Sequence, residues 1–330
     1  MNNGSWIARY TFDDIVGGSD LLREATALAR RAAQGDYPTV LVGESGTGKE
    51  LLAHAIHNAS AWRDGPFVAV NCGTLCGDIA IAELCGYEPG SFTGADRQAR
   101  AGFLDAARGG TLFLDELQDM PTIPQSVMLR FLETSRFVRV GGTNPVKSDV
   151  RVLAACNIPL KDLASSGRIR ADLLYRLNCL SIEIAPLRAR RLDLRPIAEK
   201  CLREDLHYLG AVDESVWQGL EDCPYPWPGN AREVRNILLK AILIASNDRL
   251  MASDLPRELW GASQPLEPSQ LRTEASRSQS YGHHLRSHSD KLEVVALKAV
   301  LHASHNNVSE AARRLGIHRS TIYRKLAHER

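Results

Sequence analysis

Hydrophobic and polar positions change their spacing along the chain, and the changes divide it into regions. After an apolar turn segment at 12–18, Leu21, Leu22, Ala25, Leu28 and Ala29 recur at helical intervals. This spacing predicts an amphipathic helix with those five residues on one face. Residues 38–42 are a short β-branched run ending at Gly43, the pattern of a buried strand feeding a turn. Helix is expected from Lys49 to about Ala59, and apolar runs at 67–70, 111–114, 151–155 and 180–184 predict four more strands. Strands alternating with helical stretches indicate a doubly wound α/β domain with a parallel sheet flanked by helices. From about 192 to 252 the pattern becomes helical only, which predicts a small helical lid on that core. Residues 261–290 are rich in Ser, Arg, Gln and His and poor in apolar side chains, as in a flexible linker. Order is expected to resume at Lys291 as a compact three-helix unit. The predicted organisation is therefore core 11–190, lid 191–260, linker 261–290 and a C-terminal all-α domain 291–330.

Composition adds location and polarity. No apolar run reaches membrane-spanning length, and residues 1–10 lack the basic-then-apolar pattern of a signal peptide. A cytoplasmic protein with no membrane partner is expected. The seven cysteines are scattered and read as buried thiols in a reducing compartment, not as a disulfide framework. Cys72, Cys76 and Cys85 cluster, but no paired Cys/His set follows at zinc-finger spacing, so packing is the expected role. The formal net charge of +1 hides an asymmetry, because residues 261–330 carry eleven Lys/Arg against six Asp/Glu. Seven of the ten histidines also lie there. A basic tail on a mildly acidic body points to nucleic-acid contact at the C-terminus.

Chemistry concentrates in two segments. Gly43, Glu44, Ser45, Gly46, Thr47, Gly48 and Lys49 stand between a predicted strand and a predicted helix. In that context glycines let backbone N–H groups curl around phosphates, the helix N-terminus adds positive potential, and Lys49 reaches the β/γ-phosphates. Glu50 stands where Ser or Thr usually helps hold magnesium, so metal coordination falls on other groups and water. The apolar run Leu112-Phe113-Leu114 ends in Asp115-Glu116. There Asp115 would orient Mg²⁺ through its waters and Glu116 would polarise the attacking water. Together they predict binding and hydrolysis of ATP with Mg²⁺.

Gly90-Ser91-Phe92-Thr93-Gly94-Ala95 resembles the Gly-Ala-Phe-Thr-Gly-Ala loop of the bacterial enhancer-binding proteins, AAA+ activators of sigma-54 RNA polymerase, with Ser91 in place of Ala. The resemblance runs from about Phe12 to Arg330. It includes 43–50, where Glu50 is the family's usual residue, together with Asn71-Cys72, 109–116 and 139–142. Arg170-Ala171-Asp172-Leu173, Arg176-Leu177 and 227–233 also match. It implies an AAA+ P-loop ATPase that assembles as a hexameric ring and remodels closed promoter complexes into open ones. Phe92 and Thr93 would then sit at the tip of a loop touching sigma-54, with flanking glycines allowing a tight turn. Asn71 matches the switch residue that holds the catalytic glutamate, and Asn157 the sensor after the fourth strand, preceded here by Cys156 where the family has Thr. Arg170 and Arg176 match trans-acting arginine fingers, with Arg168 a third candidate in the same run; a planar, permanent cation suits a transferring phosphoryl group. Arg232 matches the lid sensor that reaches back to the nucleotide.

At the C-terminus, Ala312, Gly316 and Ile322 have helix-turn-helix spacing: a small residue where helices cross, a turn glycine and an apolar anchor. Ser309 is the expected N-cap. The second helix would offer His318, Arg319, Ser320, Thr321, Tyr323, Arg324 and Lys325 to DNA, some to phosphates and some to base edges. The segment resembles the Fis-type domain, which implies dimeric binding to upstream, enhancer-like DNA. Similarity to the ATPase begins almost at once, so no receiver domain is expected ahead of Phe12. Control is then expected from expression level, a trans-acting regulatory protein or a co-assembling paralogue. Two rival readings are a general AAA+ remodeller with another target, and a non-catalytic ring partner or repressor.

Overall fold

The computed structural model describes residues 6–91, 99–245 and 249–260. The chain divides into two units, Met1–Gly261 and Ala262–Arg330. The expected linker and helix-turn-helix, with all seven DNA-contact candidates, lie outside the described residues, as do Phe92, Thr93, Gly94 and Ala95.

In chain order the strands are β1 (Thr39–Val42), β2 (Phe67–Asn71), β3 (Thr111–Asp115), β4 (Arg136–Val138), β5 (Pro145–Lys147), β6 (Arg151–Cys156), β7 (Leu180–Glu183), β8 (Ala211–Val212) and β9 (Arg249–Leu250). The helices are α1 (Asp20–Ala33), α2 (Lys49–Asn58), α3 (Ala80–Cys85), α4 (Phe103–Ala106), α5 (Thr122–Thr134), α6 (Leu160–Ser165), α7 (Ala171–Leu177), α8 (Leu194–Lys200), α9 (Glu214–Asp222) and α10 (Asn230–Ile244). Five strands form one parallel sheet in the order β2-β3-β6-β1-β7. All five expected strands are in it.

Period-two alternation divides the strand residues between two cores. Val40, Val42, Val70, Leu112, Leu114 and Val152 face α3, α5 and α7, while Leu41, Phe67, Phe113, Leu153 and Ile182 face α1 and α2. Both faces are buried, as a parallel sheet requires. Each fully buried aliphatic side chain contributes about 1.5–3 kcal/mol, so this sheet is a rigid base. β1 lies between β6 and β7, the point where successive crossovers diverge, and the loop after β1 opens there. A third core joins α8, α9 and α10 around Trp217, Trp227 and Leu238 and makes the lid.

Several expectations need correction. Leu21 is solvent-exposed; α1 buries Leu22, Ala25, Ala29, Ala32 and Ala33 instead, a stripe displaced toward its C-terminal end. The lid is not wholly helical, because Ala211 and Val212 pair in parallel with Arg249 and Leu250. Two residues per strand are too few to register as alternation. Cys76 and Cys179 are exposed, not buried, while the other five cysteines are buried free thiols. The hairpin β4–β5 was not anticipated: its strands are three residues long and only half-buried.

Candidate nucleotide-binding site

The loop after β1 wraps the start of α2. Gly48 takes the N-cap with φ 104°, and Gly46 has φ 77°. Gly46 is also required by proximity: a Cβ there would lie 2.3 Å from the Gly229 carbonyl oxygen of the lid. Lys49 is buried, with Nζ donating to Gly43 O at 2.6 Å, Glu44 O at 3.0 Å and Asn157 Oδ1 at 2.6 Å. Burial pushes its ammonium pKa down, partly opposed by the charge of Asp115. Burial in turn pushes the Asp115 carboxyl up, while the Glu116 N–H donating to Asp115 Oδ1 at 2.9 Å favours the charged form.

Glu116 adopts φ 52°, ψ 49°, a left-handed conformation uncommon outside glycine. Such strain gathers where a side chain must be aimed. Here it accompanies a hydrogen bond from Asn71 Nδ2 to Glu116 Oε2 at 3.0 Å. Asn71 is held from its other end, since Oδ1 accepts from Gly73 N at 2.9 Å. β2 and β3 are in register with Asn71 opposite Asp115, so the sheet itself brings these side chains together. Asn157 follows β6; its backbone N–H donates to Gln118 Oε1 at 3.3 Å. The Cys156 thiol donates to Ile158 O at 3.2 Å and is buried, with its pKa pushed up to about 11.

The lid closes over this loop through polar contacts. Arg188 pairs bidentately with Glu44 at 2.8 and 2.6 Å and holds its carboxyl below the usual range. Asn230 Nδ2 donates to Ser45 O at 2.9 Å, Ala231 N to Gly46 O at 3.1 Å, and Arg232 Nη1 to Ser45 Oγ at 2.8 Å. Sequence reasoning found Arg232 but missed Arg188, Arg190 and Asp193. Their only signal was a charged run, 187–193, at the core–lid boundary.

Between core and lid lies a cleft of about 380 Å³, within the roughly 300–1,000 Å³ of small-molecule sites. It is lined by the loop 45–50 with Asp115, Glu116, Asn157 and Arg232, by the apolar Ile15, Val16, Leu22, Ala25 and Ile197, and by the charged Asp14, Arg190, Lys200, Asp205 and Arg235. A phosphate-binding loop and apolar side chains on one cleft fit a ligand that carries both phosphates and a flat ring. The donor set also suits a hard divalent cation. Asp115 and Glu50 are carboxylates that line the cleft, and the Thr47 hydroxyl donates to Glu44 O at 2.8 Å.

The finger candidates lie elsewhere. Arg170 and Arg176 are exposed at and on α7 and, with Arg168, do not line the cleft. Arg170 pairs with Asp172 at 2.8 Å, and Arg176 Nη2 donates to Leu132 O at 3.4 Å. The expected sigma-54 loop springs from a braced base. Tyr87 and Arg100 exchange backbone bonds at 2.9 and 3.0 Å, Glu88 N donates to Val140 O at 3.0 Å, and Arg139 pairs with Asp105 and Glu88. Ser91, the one departure in the motif, packs on Gly141: a Cβ on that glycine would meet the Ser91 Cβ at 2.4 Å. Among the described residues no cluster of His, Cys, Asp and Glu could hold a metal by itself, and no helix is long and apolar enough to cross a membrane.

Comparison with known proteins gives a consistent result. Sequence models match for the sigma-54 interaction domain over 15–183, an AAA+ ATPase lid domain over 188–272, and the Fis family of bacterial regulatory proteins over 290–328. A Geobacillus stearothermophilus protein named limonene hydroxylase is 38% identical over 96% of this chain, which spans 56% of that protein's length. The DNA-binding transcriptional regulator NtrC of Salmonella typhimurium is 37% identical over 95% of this chain and 69% of its own. The sigma54-dependent transcriptional activator SfnR of Pseudomonas putida is 36% identical over 90% and 83%. The chain thus spans from about half to about four-fifths of these relatives. The crystal structure of NtrX from Brucella abortus in complex with ATP superposes with a TM-score of 0.66 at 30% identity, over 96% of this chain and 69% of that one. With an AAA+ core, a lid and a Fis-family segment in that order, this chain belongs to the family of sigma-54-dependent transcriptional activators.

Proposed function

We propose that the protein is an ATP-dependent transcription activator: a ring-forming ATPase that binds upstream DNA and remodels sigma-54 RNA polymerase closed complexes into open ones. The observation carrying this reading is the conjunction of Lys49, Asp115, Asn157 and an Asn71-held Glu116 around one cleft, in a chain of the sigma-54 interaction domain family. The loop 43–48 and Lys49 hold the ATP phosphates. Glu116, freed from Asn71, takes a proton from the attacking water as its oxygen bonds to the γ-phosphorus and the bond to ADP breaks. Asp115, with Glu50 lining the same cleft, would hold Mg²⁺ through its waters; the cation supplies charge neutralisation on the phosphates. Arg232 senses the phosphates from the lid, and Asn157 from β6.

Arg170 and Arg176 stand outside their own cleft, which suits service to a neighbouring subunit's nucleotide. A heterologous interface of that kind closes into a ring, six-membered in this family. The segment 90–95 is proposed to touch sigma-54, and 318–325 to read DNA. Domain limits of 11–190, 191–260, 261–290 and 291–330 complete the proposal. Turnover of ATP measured against protein concentration tests it. Specific activity should rise with concentration, and an Arg170→Ala, Arg176→Ala chain doped into wild type should lower it more than in proportion. Activity independent of concentration and additive on doping would remove the trans-acting arginines from the account.

A further inference from the structure

Arg190 is a buried guanidinium that also lines the cleft. Its Nη2 donates to Thr47 O at 2.9 Å, its Nε to Ala185 O at 2.9 Å, and its Nη1 to Asp193 Oδ2 at 3.4 Å. Asp193 is fully buried and is a hub in its own right. Its Oδ1 accepts from Gly18 N at 2.7 Å and Ser19 N at 2.8 Å, and its Oδ2 from Ser19 Oγ at 2.6 Å. The approach is close: a Cβ on Gly17 would lie 2.6 Å from Asp193 Cγ, and Gly17 has φ 139°. One ion pair thus joins three pieces far apart in sequence: the phosphate loop, the start of the lid, and the turn before α1. That turn carries Ile15 and Val16, apolar residues that line the cleft.

The direction of these bonds matters. A trans peptide points its C=O and the following N–H to opposite sides. Because Arg190 holds the Thr47 carbonyl, the Gly48 N–H of the same peptide is turned away from Arg190 and fixed in direction, as a loop that presents N–H groups to phosphate oxygens requires. Gly48 has φ 104° and no side chain to hold it, so its peptide is the part of the loop most in need of an external brace. A buried ion pair is weak support for stability alone, since an apolar pair often does as well. That argues for a role in orientation.

We propose that Arg190, held by Asp193, is a positioning residue that fixes the phosphate loop and locks it to the turn carrying Ile15 and Val16, so that a nucleoside triphosphate meets preset surfaces on both. This rests on the nucleotide reading of the cleft. Arg190 touches a loop carbonyl and none of Lys49, Asp115 or Glu116, so its loss should weaken nucleotide binding more than the chemical step.

The test uses the full chain and a fluorescent ADP carrying an N-methylanthraniloyl group. Wild type must bind it; failure there overturns the nucleotide reading itself. Asp193→Asn retains a carbonyl for the Gly18 and Ser19 amides but turns its amide against Arg190. Arg190→Ala removes the brace. Each should raise the Kd at least about tenfold, and the double variant should be no worse than either single one, a coupling of about 1.4 kcal/mol. KM for ATP should rise with kcat within about threefold. Should either variant fail to fold, Arg190→Lys and Ser19→Ala, read at a temperature where circular dichroism shows both folded, take their place. Kd values within twofold of wild type for folded variants, or additive losses in the double variant, would overturn the proposal.

Discussion

The two ends of the central sheet each bury a cation, and they differ in what surrounds it. At the C-terminal ends of the strands, Lys49 is 7% exposed and meets three oxygen acceptors, with Asp115 nearby and a cleft alongside. At the N-terminal ends, Arg151 is 2% exposed and donates from Nη2 to Ala32 O at 2.6 Å, while its Nε and Nη1 have no partner. Beside Arg151, His57 shares a hydrogen bond with Thr111 Oγ1 at 2.8 Å. Burial pushes the pKa of both cations down. A perturbed, buried cation is therefore no mark of chemistry by itself. What separates the ends is convergence: one gathers a lysine, two carboxylates and the Asn157 amide on a cavity, with Asn71 holding one of the carboxylates, and the other packs Arg151, His57 and Thr111 as buried polar groups.

Substitutions at the two ends should differ accordingly. Glu116→Gln is expected to lower ATP turnover by roughly 100- to 10,000-fold, the usual contribution of a general base, while fluorescent ADP still binds. Lys49→Ala should lower turnover by roughly 100- to 1,000-fold, the scale of one charge-stabilising donor, and should lose nucleotide binding as well. A Glu116→Gln chain that turns over ATP normally would move the catalytic base elsewhere.

At the opposite end the effects concern stability. The His57 pKa is lowered to about 4 in the fold by burial, then by the charges of Arg151 and His54. The unfolded chain, with an ordinary histidine, therefore binds more protons between about pH 4 and 6.5. The contribution is complete above about pH 6.5 and is lost as the pH falls toward 4, an expected loss of roughly 2–3 kcal/mol. Denaturant titrations at pH 7 and 4.5 should show the loss in wild type and a shallower one in His57→Gln. The smallest effect is expected for Arg151→Met, which removes an incompletely paired charge. Stability at pH 7 should be unchanged or higher by about 1–2 kcal/mol, with ATP turnover within about twofold. A large loss of turnover in Arg151→Met would erase the contrast between the ends.

The same contrast explains what could be read from the sequence. The five core strands, Gly43 to Lys49, and Asp115-Glu116 were legible because each is contiguous: one strand and the turn that ends it. Even so, the pairing of Asn71 with Glu116 followed from family resemblance, since 45 residues separate them and only the sheet register brings them together. Arg190 and Asp193 were not legible. Their partners, Thr47, Gly18 and Ser19, lie 143 to 175 residues away, and buried charges look like surface charges in a sequence. Leu21 misled for a related reason: helical spacing defines a stripe, but small alanines let α1 turn its tighter face to the sheet. The arginines of 168–176 stay undivided among three candidates because all three are exposed and none lines the cleft, so neither spacing nor surroundings rank them.

The most direct test is promoter opening by the purified chain. Protein, sigma-54 holoenzyme, ATP and a sigma-54 promoter carrying its upstream site are mixed, and open complexes are scored by permanganate reactivity of unpaired thymines. The account predicts opening that requires hydrolysable ATP and is lost in Glu116→Ala and in Thr93→Ala. Vigorous ATP turnover with no opening under any of these conditions would contradict it.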